Sequence, residues 1–192
     1  STASASALPS DPDWCELRIT AERLDLAGIA ARVTHPSAGG ISIFVGTTRD
    51  HHGGKGVACL EYEAHEPLAL AEMRRIAHEA FIGVGKGQLA RVILHHRLGV
   101  VPVTESSVII AVSSPHRAEA LAATDYLIHR LKARVPVWKK EVYTDGTSNW
   151  KENCECAWSS GVATTTGAAT TMGASACVAH ESGHLTNVQT RH

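Results

Sequence analysis

The stretch ESSVIIAVSSPHRAEALAATDYLIHRLKARVPVWKKEVY, residues 105–143, carries a strand, a helix and a second strand in close succession. Glu105 to Ser113 reads as strand. Its centre, Val108-Ile109-Ile110-Ala111-Val112, is apolar without alternation, so it should be covered on both faces and lie centrally in a sheet. Ser114 then stands as N-cap and Pro115 at the first helical position. Leu121, Tyr126 or Leu127, Ile128 and Leu131 recur at helical spacing as the inward residues. Pro136 prevents continuation, and Val137 to Tyr143 resumes as strand.

Upstream, Trp14 to Thr20 reads as a strand and Ala21 to Val33 as a helix whose apolar face is Leu24, Leu26, Ile29, Ala30 and Val33. Gly39-Gly40 marks a turn, and Ile41 to Thr47 is a β-branched strand running into a polar loop, Arg49 to Gly56. Val57 to His65 is a further strand. Pro67 to Phe81 is a helix opened by proline and closed by glycines at 83, 85 and 87, and Leu89 to Arg97 is strand again. This alternation, with both short and helical links, predicts an α+β fold with helices packed on one side of the sheet. The ends differ in composition. Ser1 to Asp13 is rich in Ser, Ala and Pro, and 159–192 in Ser, Thr, Ala and Gly, so both are expected to be flexible tails flanking a domain over 14–158.

Lys plus Arg at 18 against Asp plus Glu at 19 gives a net charge of -1, without the positive field that nonspecific nucleic-acid binding needs. Any anion site must be local. No apolar run approaches the roughly 20 residues that span a bilayer, and the start carries neither a basic nor an apolar leader segment, so no membrane association is expected. Five scattered cysteines, Cys15, Cys59, Cys154, Cys156 and Cys177, suit a reducing compartment, and the expected location is the cytosol.

Three basic segments are candidates for chemistry. Ser113-Ser114-Pro115-His116-Arg117 leads a buried strand into a helix N-terminus, where unpaired N–H groups favour an anion and Arg117 adds a forked phosphate donor. An ordinary capped helix fits the same residues. Lys132, Arg134, Lys139 and Lys140 surround Val135-Pro136-Val137-Trp138. Basic residues at a helix C-terminus commonly just complement the dipole, whereas a lysine set among Trp138 and aliphatic residues would be desolvated and suited to proton transfer. Lys139 and Lys140 are successive strand residues and face opposite sides, so only one can share a pocket with Lys132. Phe44-Val45-Gly46-Thr47-Thr48-Arg49 ends a strand beside a glycine-bearing loop, a common place for a ligand contact and equally for a solvated arginine.

Other patterns carry less. Gly83-Val84-Gly85-Lys86-Gly87 follows a helix instead of a strand and lacks the Lys-Ser/Thr ending of a phosphate loop, so it reads as a helix stop. His51-His52 and His95-His96 have no Cys-x-x-Cys or His-Glu-x-x-His beside them, and no metal is expected. Cys154-x-Cys156 lacks the two-residue spacing of a redox pair.

In order and spacing the three basic segments resemble the large, catalytic subunit of molybdopterin synthase, as do Leu60-Glu61-Tyr62-Glu63-Ala64, His96-Arg97-Leu98-Gly99 and Asn149-Trp150-Lys151. The likeness spans roughly Trp14 to Trp158. It implies an α/β hammerhead-type fold with a mixed or antiparallel sheet and helices packed on it. It also implies a central homodimer within a heterotetramer, each protomer carrying a small ubiquitin-like subunit that brings sulfur as a C-terminal Gly-Gly thiocarboxylate. The implied substrate is cyclic pyranopterin monophosphate, with no permanently bound cofactor. The resemblance places Thr47, Thr48, Arg49, His116, Arg117, Lys132, Lys139, Lys140 and Glu141 in the substrate pocket, with Lys132 and Lys139 as the catalytic pair and Phe44 in support. Thr47 stands where family members often carry a basic residue.

One helix from Ser114 to about Ala133 would hold Arg117 and Lys132 roughly 22 Å apart, since each residue adds 1.5 Å. A pterin does not bridge that distance easily. Either the helix breaks, or His116 and Arg117 of one protomer face Lys132 and Lys139 of another across a two-fold axis, and the second is expected. The competing class is a noncatalytic module that docks a ubiquitin-like partner or an anion with the same cations. Such a module would tolerate Lys→Arg at both positions.

Overall fold

A computed structural model describes residues 13–151. Apart from Asp13, the expected tails, Cys154, Cys156 and the domain limit at 158 lie outside the described residues. The elements are β1 (Cys15–Thr20), α1 (Leu26–Val33), β2 (Gly40–Thr47), β3 (His51–His52), β4 (Lys55–Ala64), α2 (Glu66–Ile82), β5 (Arg91–Arg97), β6 (Gly99–Pro102), β7 (Ser106–Ser114), α3 (Arg117–Arg134), β8 (Val137–Tyr143) and β9 (Ser148–Lys151).

They form two sheets. The first has the order β1-β5-β7-β2, with β1 parallel to β5 and the other pairs antiparallel. The second has the order β3-β4-β8-β9, with β6 also on β4, and all its pairs are antiparallel. The chain crosses between sheets at Leu98-Gly99, where Gly99 takes φ +74°, a left-handed conformation that glycine adopts without strain.

The apolar run on β7 is central, as its composition predicts. Val108, Ile110 and Val112 enter a core with Val92 and Leu94 of β5, Met73 and Ile76 of α2, and Leu127 and Leu131 of α3. Ile109 and Ala111 point the other way, into a second core with Ile93 and with Ile29 and Val33 of α1. Each fully buried Val, Leu or Ile contributes about 1.5–3 kcal/mol, so β7, buried on both faces, is what holds the layers together. The helices therefore cover both faces of the first sheet instead of the single face expected. Two buried residues of the short α1 suffice for the second face.

Two helix starts differ from expectation. α1 begins at Leu26, because the Asp25 carboxylate accepts the Gly28 N–H at 3.0 Å and caps the helix there. Leu26 is correspondingly exposed. α3 begins at Arg117, with His116 as N-cap and no side-chain cap bond. Ser114 stays in the ladder, pairing with Gly40 and accepting the Gly39 N–H at 3.0 Å, so Pro115 is only a link. The inward face is Ala120, Ala123, Thr124, Leu127 and Leu131, while Leu121 is exposed and Tyr126 and Ile128 are half-buried flanks.

The loop after Arg49 contains a hairpin. Gly53 and Gly54, at φ +58° and +80°, turn β3 back onto β4, the backbone that a two-residue hairpin requires. The short strands β6 and β9 are also additions to the expected set. Among the described residues no helix is long and apolar enough to cross a membrane.

Candidate active site

Thr47 closes β2, and Thr48 and Arg49 follow it directly. The ladder with β7 slips at Gly46/Thr47, and Gly46 is obligatory there because a Cβ would sit 2.6 Å from the Val108 side chain. Thr48 is drawn inward. Its hydroxyl donates to the Val101 carbonyl at 3.2 Å, its N–H reaches the Glu105 carbonyl at 3.1 Å, and its own carbonyl accepts the Thr104 N–H at 2.9 Å. Thr104 holds φ +74°, a strained conformation for a β-branched residue. Thr48 is thus an anchor that leaves Arg49 exposed, with Nη2 3.5 Å from His52 Nδ1. Phe44, half-buried, packs on the core beneath.

The Thr48 anchor ties the end of β2 to the second sheet. Val101 of β6 stands in register with Leu60 of β4, and Leu60 with Glu141 of β8. Two strand spacings, about 10 Å, separate the Val101 and Glu141 backbones. α3 packs along β7 and β2 and, having left β7 at Ser114, returns its last turn toward the Thr47 end of the ladder. That turn carries the exposed Lys132. Thr47 and Arg49 thus stand at one end of the β2–β7 ladder, Lys132 on the last turn of α3, and Lys139 on β8 of the second sheet.

Alternation on β8 divides the basic residues between two faces. Lys139, Glu141 and Tyr143 share one face. Lys139 Nζ lies 3.8 Å from Glu141 Oε1, and the Tyr143 hydroxyl donates to Glu141 Oε2 at 2.8 Å. Glu141 is 3% exposed and Tyr143 8%, while the Lys139 side chain keeps 39% of its surface. That hydrogen bond to the carboxylate, with burial, raises the Tyr143 hydroxyl above the usual tyrosine pKa and keeps it a donor. Tyr62, opposite Lys139 in the register, is raised as well, chiefly by burial, although a bond with Ser107 opposes the shift.

On the other face Lys140 pairs with Glu61 at 3.2 Å and lies 5.7 Å over the Trp150 ring. Trp138 is exposed and belongs by alternation to that same face. Trp138 therefore does not cover Lys139, which has Tyr62 opposite it in the ladder and Glu141 as its ion-pair partner. Arg134 is absorbed by structure: Nε donates to Glu72 at 2.6 Å, and Nη1 and Nη2 to Glu79 at 2.6 and 3.1 Å.

His116 and Arg117 are at the opposite end of the ladder. Gly40 pairs with Ser114 and Thr47 with Ser106, and a Cβ on Gly40 would meet Arg117 at 3.1 Å. The seven residue steps from Gly40 to Thr47 span about 23 Å. α3 is unbroken, so its own length keeps Arg117 about 22 Å from Lys132. This helix start lacks a side-chain cap, so its first N–H groups are not taken up by a capping side chain.

The buried residues around Lys139 were not evident from sequence. His96, fully enclosed, meets the Tyr62 ring edge-on at 5.1 Å and donates from Nδ1 to the Arg97 carbonyl at 2.8 Å; burial pushes its pKa down to about 4, so it is neutral. The signal available was the period-two spacing Lys139, Glu141, Tyr143 on a strand. His95 turns to the opposite side and contacts Glu16 at 2.7 Å. The glycine-rich segment at 83–87 is a helix stop, with the Gly83 N–H on the Glu79 carbonyl at 2.9 Å and Gly87 at φ +70°.

Residues 19–134 match the family model described as MoaE protein. The chain belongs to the MoaE family. Molybdopterin synthase catalytic subunit 1 of Aedes aegypti is 51% identical over 145 residues, covering 74% of this chain and 92% of its own. The catalytic subunit of Homo sapiens is 48% identical over 144 residues, covering 75% and 74%. Among solved structures of MoaE type, molybdopterin synthase from Staphylococcus aureus superposes with TM-score 0.64 at 32% identity, over 69% of this chain and 94% of that one. A Helicobacter pylori complex of subunits 1 and 2 of molybdopterin-converting factor shares the fold, with TM-score 0.58 at 18% identity over 74% and 92%. The expected α+β fold and the family resemblance are both borne out. The MoaE chain described here has the role its relatives are named for, catalytic subunit of molybdopterin synthase, an enzyme of molybdenum cofactor synthesis.

Proposed function

We propose that the chain transfers sulfur to cyclic pyranopterin monophosphate from the Gly-Gly thiocarboxylate of a small ubiquitin-like subunit, in a cytosolic heterotetramer built on a dimer of this chain. The pocket is composite. Thr47, Arg49, Lys132 and Lys139 come from one protomer, and His116 and Arg117 from its partner. One observation carries this reading: within a chain, an unbroken α3 and an eight-residue β2 hold the two cationic groups more than a pterin's length apart.

No side chain need act as nucleophile: the thiocarboxylate sulfur attacks a side-chain carbon of the pterin as the cyclic phosphate opens, and water then cleaves the acyl–sulfur bond, leaving sulfur on the pterin and a carboxylate on the carrier. The protein holds the phosphate, moves protons and stabilises the developing negative charge. Arg49, His116 and Arg117 neutralise the phosphate, Lys132 meets the carrier's terminal carbonyl, and Lys139 serves proton transfer at the pterin side chain. Thr48 and Phe44 support this set by fixing the Arg49 loop. Glu141 stands behind Lys139, and Lys140, on the far face, contributes through Trp150 and Glu61 instead of through contact with the pterin.

The test mixes Arg117→Ala with Lys139→Ala chains, each inactive alone, and measures dithiolene formation with the cyclic precursor and thiocarboxylated small subunit. A site shared across a dimer regains about one quarter of wild-type activity on random re-pairing, because half the sites in half the dimers are intact. No recovery from demonstrably mixed dimers means the site lies within one chain.

A further inference from the structure

We propose that Tyr143 is a positioning residue for the sulfur-transfer reaction: its hydroxyl holds Glu141 so that the second carboxylate oxygen is presented to Lys139. The inference rests on the reading of Lys139 as catalytic and adds a residue behind it. Three side chains of β8 form a row on one face, Tyr143 and Glu141 buried and Lys139 half-open. The two oxygens of Glu141 have different tasks, Oε2 accepting the Tyr143 hydroxyl at 2.8 Å and Oε1 standing 3.8 Å from the Lys139 ammonium.

That second distance is an ion pair without a hydrogen bond. The carboxylate attracts the ammonium but does not engage its N–H groups, which leaves them for a ligand on the open side. A carboxylate free to rotate would close onto the lysine and take up a donor. The Tyr143 hydroxyl bond opposes that rotation, and the ring is itself fixed, since β8 pairs with β4 on one side and β9 on the other, and Lys55 Nζ lies 5.1 Å over it while 3.8 Å from Asp145.

Tyr143→Phe keeps the ring and deletes only the hydroxyl. Single-turnover rates in the reconstituted synthase, which remain measurable in weak variants, are compared for wild type, Tyr143→Phe, Lys139→Ala and the double variant, each across a range of pterin concentrations. We expect Tyr143→Phe to lower the saturating rate about tenfold while half-saturation moves less than about twofold, the effect of one misplaced charge-assisted hydrogen bond. In the Lys139→Ala background the same change should cost less than about twofold, because the residue it acts through is gone. An equal loss in both backgrounds, or a wild-type rate for Tyr143→Phe where Lys139→Ala is crippled, overturns the inference and leaves the assignment of Lys139 standing. A wild-type rate for Lys139→Ala overturns both.

Discussion

Two carboxylate networks take their cations from the same short stretch of chain, and they are built differently. Arg134 commits its whole fork, with bonds of 2.6, 2.6 and 3.1 Å to Glu72 and Glu79, and so fastens the end of α3 to α2. Tyr126 adds a further bond to Glu79 at 3.0 Å. Lys139 is held more loosely, 3.8 Å from a buried carboxylate that a tyrosine steadies. Short bidentate geometry uses up donors and fixes structure, whereas a spaced ion pair on an open face leaves them for substrate.

The contrast is broken most directly at Lys139. Alanine there should lower dithiolene formation by about a hundredfold to ten-thousandfold, the usual range for loss of a proton-transfer group, with little change in thermal midpoint. A comparable loss of stability would make Lys139 another Arg134. Next in size is the acid response of the wall beside it. His96 has its pKa lowered to about 4, so the stability tied to its neutral form is complete above about 6.5, the unfolded value, and is lost as pH falls toward 4. His96→Gln should flatten the stability-versus-pH curve in that interval by up to about 3 kcal/mol, as read by denaturant titration at each pH. His95, also lowered by burial, would leave a residual slope of the same sign.

Arg134→Ala should cost about 1–2 kcal/mol of stability at neutral pH, because the network is only partly buried, and should change turnover little. Hydrogen bonding from Arg134 is the leading cause that holds the Glu79 carboxyl below its ordinary range. Its contribution is therefore present above the unfolded glutamate value near 4.3 and fades below it, so wild type and variant should converge in acid. The smallest effect is expected at Thr104, whose φ of +74° carries the bond to the Thr48 carbonyl. Thr104→Gly should raise stability by about 0.5–1 kcal/mol in thermal melts, since relief of left-handed strain exceeds the entropy lost to glycine. Lost turnover in that variant would show that the strained turn also sets the Arg49 loop.

What the sequence made legible was whatever leaves a periodic or uniform mark. β7 is covered on both faces, so its apolar run could not be an edge, and the opposite orientation of Lys139 and Lys140 follows from the period of a strand. The boundary of α3 was hidden because Ser114 and Pro115 form a plausible cap, and only the pairing with Gly40, from distant sequence, claims Ser114 for the ladder. β6 and β9 are too short to show a pattern, though Asp145-Gly146, with Gly146 at φ +82°, was a readable turn before β9. Trp138 is adjacent to Lys139 in sequence but stands on the opposite face of β8. Glu141, two positions from Lys139, is its ion-pair partner. The separation of Arg117 from Lys132 was legible as a helix length, and β2 repeats it independently.

The pairing of β1 with β5 has a consequence for assembly. It is the sole parallel pair among the described strands, and it joins Cys15 to Val92, with α1, β2, β3, β4 and α2 intervening along the chain. Closing so large a loop is favourable only once its far side exists, so the opening strand must dock late, onto a surface that later-made segments supply. The ring of Trp14, the residue just before it, is stacked on Phe81 at 4.6 Å and would report that event by fluorescence. The residues that leave the ribosome before the rest of the domain are thus among the final ones to find their place.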